Sequence, residues 1–240
     1  NYYVEFMKKH IFAYLNPPIT SKVLPMYWYL GYNVYSKSVL EIGGVILASW
    51  IVPIHENYDG LDYWCTCMFG EDNPSDPYLI PTDRALLDRR RKMILAPVLE
   101  KAVKAGNIII PEEFEVGFDH VTNLIAGLGM EDDPNYYLTR GYPGSVNTYV
   151  FNSTSEPANN SYPPTNEETF IGYMHLSMYY NQARLAEVYP ADKYPFLTEK
   201  FAFVQKYLKD KYQIDLEAIA NGPEDWNLPL PPIPETPDEE

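Results

Sequence analysis

The stretch Arg91-Lys92-Met93-Ile94-Leu95-Ala96-Pro97-Val98-Leu99-Glu100-Lys101 lies inside a helical pattern running from Thr82 to Gly106, followed by Asn107-Ile108-Ile109-Ile110 and Pro111-Glu112-Glu113-Phe114. Leu86, Leu87, Met93, Ile94, Val98, Leu99 and Ala102 recur at the spacing of one helical side. Thr82 is placed to cap the first turn, with Asp83 inside it, and Pro97 predicts a kink. Arg84, Arg89, Arg90, Arg91 and Lys92 are expected on the exposed face, answering the acidity of the rest of the chain; an anion site is the other use of such a run. Leu95 and Leu99, four apart, stand one above the other on the helix.

On the N-terminal side, Tyr2 to Asn16 carries Val4, Phe6, Met7, Ile11, Phe12 and Leu15 near helical spacing, and Pro17-Pro18 ends the run. Leu24 to Leu30, Val39 to Ile54 (which includes Gly43-Gly44) and Tyr63 to Phe69 are rich in β-branched and aromatic residues and are expected to form three strands of one sheet. Cys65 and Cys67, the two cysteines, are expected as packed, reduced thiols. Strand residues facing one way lie about 6.6 Å apart, near the edge of disulfide reach. A C-x-C without further Cys or His nearby is also a weak metal signal. Gly70 to Pro81 reads as a polar loop.

On the C-terminal side, a second short helix is expected through Val116 to Leu128. Glu131 to Pro164 reads as a long irregular segment, and so long a loop is functional or carries short strands. Its Asn152-Ser153-Thr154 and Asn159-Asn160-Ser161 triplets serve as loop markers. Thr165-Asn166-Glu167-Glu168 is a capping box that opens a helix through Phe170, Ile171, Met174 and Leu185 to Tyr189, where Pro190 stops it. A further helix runs from about Phe196 to Tyr212 on the stripe Leu197, Phe201, Val204 and Leu208. Residues 222–240 hold six prolines and six acidic residues and read as a tail that Trp226 is able to anchor, leaving residues 1–221 as a single domain.

With 240 residues the chain can bury a sizeable core. Its 18 basic and 33 acidic residues give a net charge of -15, which repels polyphosphate and disfavours anionic membrane surfaces, so nucleic acid is not an expected partner. No uncharged apolar run reaches the roughly eighteen residues of a membrane helix; Ile42 to Ile54, the longest candidate, is interrupted by Gly43, Gly44, Ser49 and Pro53. The chain opens without methionine and directly on a helical pattern, as expected where targeting residues have been removed. Gly-x-Ser-x-Gly, P-loop and Gly-x-Gly-x-x-Gly patterns are absent.

The helix Thr82 to Gly106, its apolar link and the Pro-Glu-Glu-Phe step resemble the substrate import-associated zinc metallohydrolase lipoproteins, a zincin-like family whose corresponding helix carries His-Glu-x-x-His. Pro164-Thr165-Asn166-Glu167-Glu168-Thr169-Phe170 is similar to the family's Asn-Glu-Asp-Phe-like motif, whose glutamate completes the zinc site. Tyr207 to Leu216, with its Ile214-Asp215 ending, is similar to the family's final helix. The resemblance covers most of the chain from about Phe6. It implies an α+β, zincin-like fold with a small, mostly antiparallel sheet, a long central helix and C-terminal helices.

The diagnostic motif is missing. Two histidines four apart on a helix can share one zinc while the adjacent glutamate polarises its water. Here Leu95 and Leu99 fall near the histidine positions and Ala96 near the glutamate, and the four histidines, His10, His55, His120 and His175, are far apart in sequence. The expected site is therefore degenerate at Leu95, Ala96, Leu99, Glu167 and Glu168, with no catalytic residue and the family's zinc lost.

The resemblance then implies a lipid-anchored outer-membrane accessory protein of a glycan-import system that binds rather than cuts. Its partners would be import proteins or a glycan or peptide ligand, and it would meet the membrane only through its anchor. Twenty-two tyrosines and four tryptophans suit such a surface, and Tyr136, Tyr137 and Tyr142 are the expected ligand-binding rings, with Tyr58, Tyr63, Tyr78, Tyr149 and Tyr162 also in loops. Tyrosines that merely cap a core are the alternative. A hydrolase using His120, His175 and Glu167 or Glu168 is a second reading, and an acidic adhesion or scaffold protein a third. Capping alone accounts for Glu167 and Glu168. His120 is either a base paired with Asp119 or a satisfied structural histidine, and His175 is placed to approach the long helix.

Overall fold

A computed structural model describes residues 2–31, 35–53, 58–59, 62–67, 84–148 and 151–226. The chain starts on α1 (Tyr2–Phe6), widens into a π turn at Met7–Ile11 and tightens into a 3-10 turn at Phe12–Tyr14. The expected first helix is thus present but irregular, with Phe6, Met7 and Ile11 buried. Pro17 opens α2 (Pro17–Thr20), where a missing amide hydrogen costs nothing, and Asn16 caps it by accepting from the Ile19 amide.

The strand region departs from the single sheet its pattern predicts. It contains β1 (Tyr27–Gly31), β2 (Tyr35–Ile42), β3 (Val45–Pro53), β4 (Tyr58–Asp59) and β5 (Tyr63–Cys67). One sheet has the order β1-β5-β4, with β1 parallel to β5, while β2 and β3 form a separate antiparallel hairpin. The cause is Gly43-Gly44, whose φ angles of +62° and +81° make a two-residue turn that only such residues enter freely. The run from Val39 to Pro53 therefore folds back on itself, and the chain returns far enough for β5 to lie parallel to β1. Trp28 donates to Thr66 at 2.6 Å and meets the Trp64 ring edge-on, and Cys65 is half-buried and in no disulfide. The expected loop Gly70 to Pro81 and the Thr82 cap lie outside the described residues.

Next come α3 (Arg84–Lys104) and the short α4 (Glu112–Glu115). The helix expected over Val116 to Leu128 does not form. Gly117, Gly127 and Gly129 sit at positive φ, and Asp119 Oδ1 accepts from the amides of Val121 and Thr122. These turns leave Leu124 and Ile125 to bridge to Ser161 and Tyr136 instead. The long segment beyond holds two short paired strands, β6 (Ser145–Val146) and β7 (Thr154–Ser155).

α5 (Asn166–Tyr179) opens on the predicted capping box: Thr165 Oγ1 accepts from the Glu168 amide at 3.2 Å, and the Glu168 carboxylate accepts from the Thr165 amide at 2.8 Å. The helix ends ten residues before Tyr189, because Asn181 caps a separate α6 (Gln182–Val188) through the Arg184 amide. α7 (Pro195–Tyr212) buries the stripe Leu197, Phe201, Val204 and Leu208, and α8 (Leu216–Asn221) follows with Asp215 as its cap. α5 packs on α3, α7 and α8. The architecture is mixed α+β, with small sheets beside a larger helical layer.

Three of the basic residues expected in solvent are in the core. Arg90, Arg91 and Lys92 are 1%, 0% and 7% exposed. Arg91 pairs with Asp88 at 2.8 Å, donates to the Ile219 carbonyl and lies over the Tyr14 ring; Lys92 pairs with Asp88 at 2.7 Å and donates to the Ala220 carbonyl at 3.0 Å. The last carbonyls of α8 lack intrahelical donors, and two buried cations satisfy them. Beyond α8, Trp226 lies parallel to the Phe6 ring and tilted against His10, and its carbonyl accepts from His10 Nε2 at 3.0 Å, so the chain is anchored as far as Trp226.

Candidate functional site

Between α3, α5 and the segments 142–148 and 157–164 lies a cleft of about 640 Å³. Glu100 and Lys104 reach it from α3, and Glu168, Thr169, Gly172 and His175 from α5. Tyr142–Val146 and Tyr162–Pro164 form the facing wall. That wall depends on Gly144, at φ +67°, where a Cβ would meet the Ser155 carbonyl oxygen at 2.6 Å. Gly172 similarly lets Pro143 lie close to α5.

His175 is the buried group of the site. Burial, opposed by the nearby Glu100 charge, holds its pKa down at about 4, so the ring is neutral at neutral pH. It hydrogen-bonds the Ala96 carbonyl. Nε2 is buried and has no hydrogen-bond partner among the described residues. Glu100 Oε2 lies 3.7 Å from Nε2, while Glu100 Oε1 is 2.6 Å from Lys104 Nζ. The hydrogen bond to Glu100 raises the Lys104 pKa. Nε2 itself is buried, so the cleft presents the Glu100 carboxylate, whose charge is balanced by a lysine on its other side.

The residues singled out in the sequence fall in different places. Leu95, Ala96 and Leu99 are fully buried, and Ala96 meets the site only through the carbonyl that orients His175. Glu168 lies on the wall, its carboxylate occupied by the capping box and its pKa lowered chiefly by the Thr165 amide, whereas Glu167 is exposed. His120 donates from Nδ1 to the Pro164 carbonyl at 2.8 Å and touches Tyr142, so it supports two wall residues without lining the cleft. Asp119 is not its partner: that carboxylate serves Thr122, Val121 and Arg140, and the Thr122 side chain first among them holds its pKa at about 2. Among the described residues no three His, Cys, Asp or Glu side chains converge as a metal site requires.

Tyr136, Tyr137 and Tyr142, expected as an open stacking surface, are only 3%, 5% and 1% exposed. Tyr136 and Tyr137 pack edge-on at 4.8 Å and border a smaller cavity of about 260 Å³. Tyr142 borders the main cleft, but its hydroxyl donates to the Asp119 carbonyl at 2.9 Å and burial pushes its pKa up to about 12. Hydrogen bonding and ring packing draw these side chains inward; Tyr162, 81% exposed beside Pro163 and Pro164, is the open ring on the cleft. Glu100 and Lys104 escaped the sequence reading because a Glu-x-x-x-Lys pair is an ordinary feature of solvated helices.

No family model matches the sequence, and no curated protein matches it. Among solved structures, the chain is similar to a candidate zinc-binding metallo-peptidase from Bacteroides caccae, with a TM-score of 0.44 and 14% identity over 92% of this chain and 73% of that one. A likeness of that degree assigns neither family nor chemistry.

Proposed function

We propose that this protein is a recognition module whose cleft between α3 and α5 binds a neutral, hydroxyl-rich ligand such as a glycan, and that it works without a zinc centre. The observation that carries this reading is the partly open Glu100 carboxylate on the cleft wall, together with the exposed Tyr162 ring on the same cleft. A carboxylate oxygen accepts from a ligand hydroxyl. An ammonium would also donate, but Lys104, 2.6 Å from the same carboxylate, already balances that charge and opposes a second cation.

Tyr162, Pro163 and Pro164 offer an apolar face against which a sugar ring can lie. Aromatic pairs gain about 0.5–1.5 kcal/mol beyond area burial, so single contacts are weak and clustering would raise their effect. In the setting that the sequence resemblance implies, the protein would be a zincin-like lipoprotein of the outer membrane, residues 1–221 forming its domain, that hands a glycan or peptide to import proteins. The burial of Leu95, Ala96 and Leu99 supports a binding role over hydrolysis, since the helix face that would bear zinc ligands is packed. Titration calorimetry with neutral oligosaccharides tests the reading. Binding that weakens about tenfold in Tyr162→Ala is expected; peptide hydrolysis dependent on stoichiometric zinc, without oligosaccharide binding, overturns it.

A further inference from the structure

The hairpin β2–β3 is the most apolar exposed part of the described structure. Val39, Leu40, Ile42, Val45, Ile46, Leu47 and Trp50 are 43–63% exposed, and among the described residues β2 and β3 pair only with each other. A two-stranded hairpin alone is marginal in water, so a ribbon of this composition calls for further strands.

The register identifies which edge is open for them. Ile42 and Val45 flank a two-residue turn and exchange both backbone hydrogen bonds. Alternation along β2 then directs the N–H and C=O groups of Lys37, Val39 and Glu41 away from β3. The outer edge of β3 is interrupted by the bulge opposite Leu40, where Leu47 is the extra residue, and bulges blunt an edge; β2 is unbroken.

Charge placement identifies the partner. Lys37 and Glu41 stand two residues on either side of Val39 and on one face of the strand. When β2 runs antiparallel to a second β2 about a two-fold axis through Val39, Lys37 of each copy falls directly opposite Glu41 of the other, and Val39 faces Val39. All three positions are the ones whose backbone groups point outward. Charges of one sign would protect the edge against association, whereas this opposite-sign pair is self-complementary. We propose that β2 is a dimerisation edge and that two copies of this chain join as a continuous sheet in the order β3-β2-β2-β3. This interface uses no residue of the cleft.

Light scattering after gel filtration, on the full chain, tests it. Wild type is expected at twice the 27.7 kDa chain mass. Lys37→Glu, which sets Glu against Glu41, should weaken association at least tenfold, and adding Glu41→Lys to it should restore the dimer. In a Cys65→Ser, Cys67→Ser background, Val39→Cys should form a disulfide with its own copy, while Ser49→Cys on β3 should not. A wild type that stays monomeric up to millimolar concentration overturns the proposal. So does a dimer indifferent to Lys37→Glu, or a monomer that floats with phosphatidylcholine vesicles through the same hairpin.

Discussion

Replacing His175 by Asn should flatten the acid branch of the stability curve. In the folded protein burial holds His175 at about 4, against 6.5 for an ordinary histidine. Above pH 6.5 the ring is neutral in both states and its contribution is constant. As pH falls below 6.5 the unfolded chain takes up a proton that the folded one refuses, so stability is lost at up to about 1.4 kcal/mol per pH unit, levelling off near the folded value. Lowering the pH from 7.5 to 4.5 should therefore cost wild type roughly 2–3 kcal/mol through this group alone. The Asn amide can still donate to the Ala96 carbonyl but does not titrate. Urea denaturation of both proteins across that range isolates the effect, since carboxylate titrations are common to the two curves. Parallel curves would show that burial does not hold His175 neutral.

Three further outcomes follow from burial. Alanine at Tyr136, Tyr137 and Tyr142 together should unfold the protein rather than simply remove ligand binding, because each buried ring costs about 3–5 kcal/mol against a total of about 5–15; a native circular dichroism spectrum and sharp melt would refute this. Arg91→Ala should cost about 2–4 kcal/mol by leaving the Ile219 carbonyl without its donor and emptying a buried site, with Asp88 still held by Lys92, while the exposed Arg84→Ala should stay within about 0.5 kcal/mol. Truncation after Gly222 removes the Trp226 contacts with Phe6 and His10 and should lower the melting temperature by roughly 2–6 °C, taking about 1–2 kcal/mol for a half-buried ring; an unchanged melt would show that the ring is not anchored.

What could be read in the sequence was local. The capping box Thr165 to Glu168 is visible because both of its hydrogen bonds close within four residues. The α3 pattern and the α7 stripe follow from spacing alone. Gly43-Gly44 between apolar runs carries the signal of a two-residue hairpin, which splits the run from Val39 into two strands. Asn181 similarly marks the start of a new helix within the run Phe170 to Tyr189. The buried cations were illegible, because Arg91 and Lys92 are satisfied by carbonyls 128 residues away. His175 was legible as a residue able to approach α3, but Glu100, its neighbour across the cleft, is distinguished only by the crossing of two helices.

The central claim is that the cleft between α3 and α5 takes a neutral, hydroxyl-rich ligand without zinc. Histidine ¹⁵N NMR of His175, whose side chain lines that cleft, tests it directly. The account predicts a ring that is neutral at pH 7, with resonances that shift when a binding oligosaccharide is added and stay in place when zinc is added. A ring already charged at pH 7, or one that responds to stoichiometric zinc and ignores every neutral oligosaccharide, would contradict it.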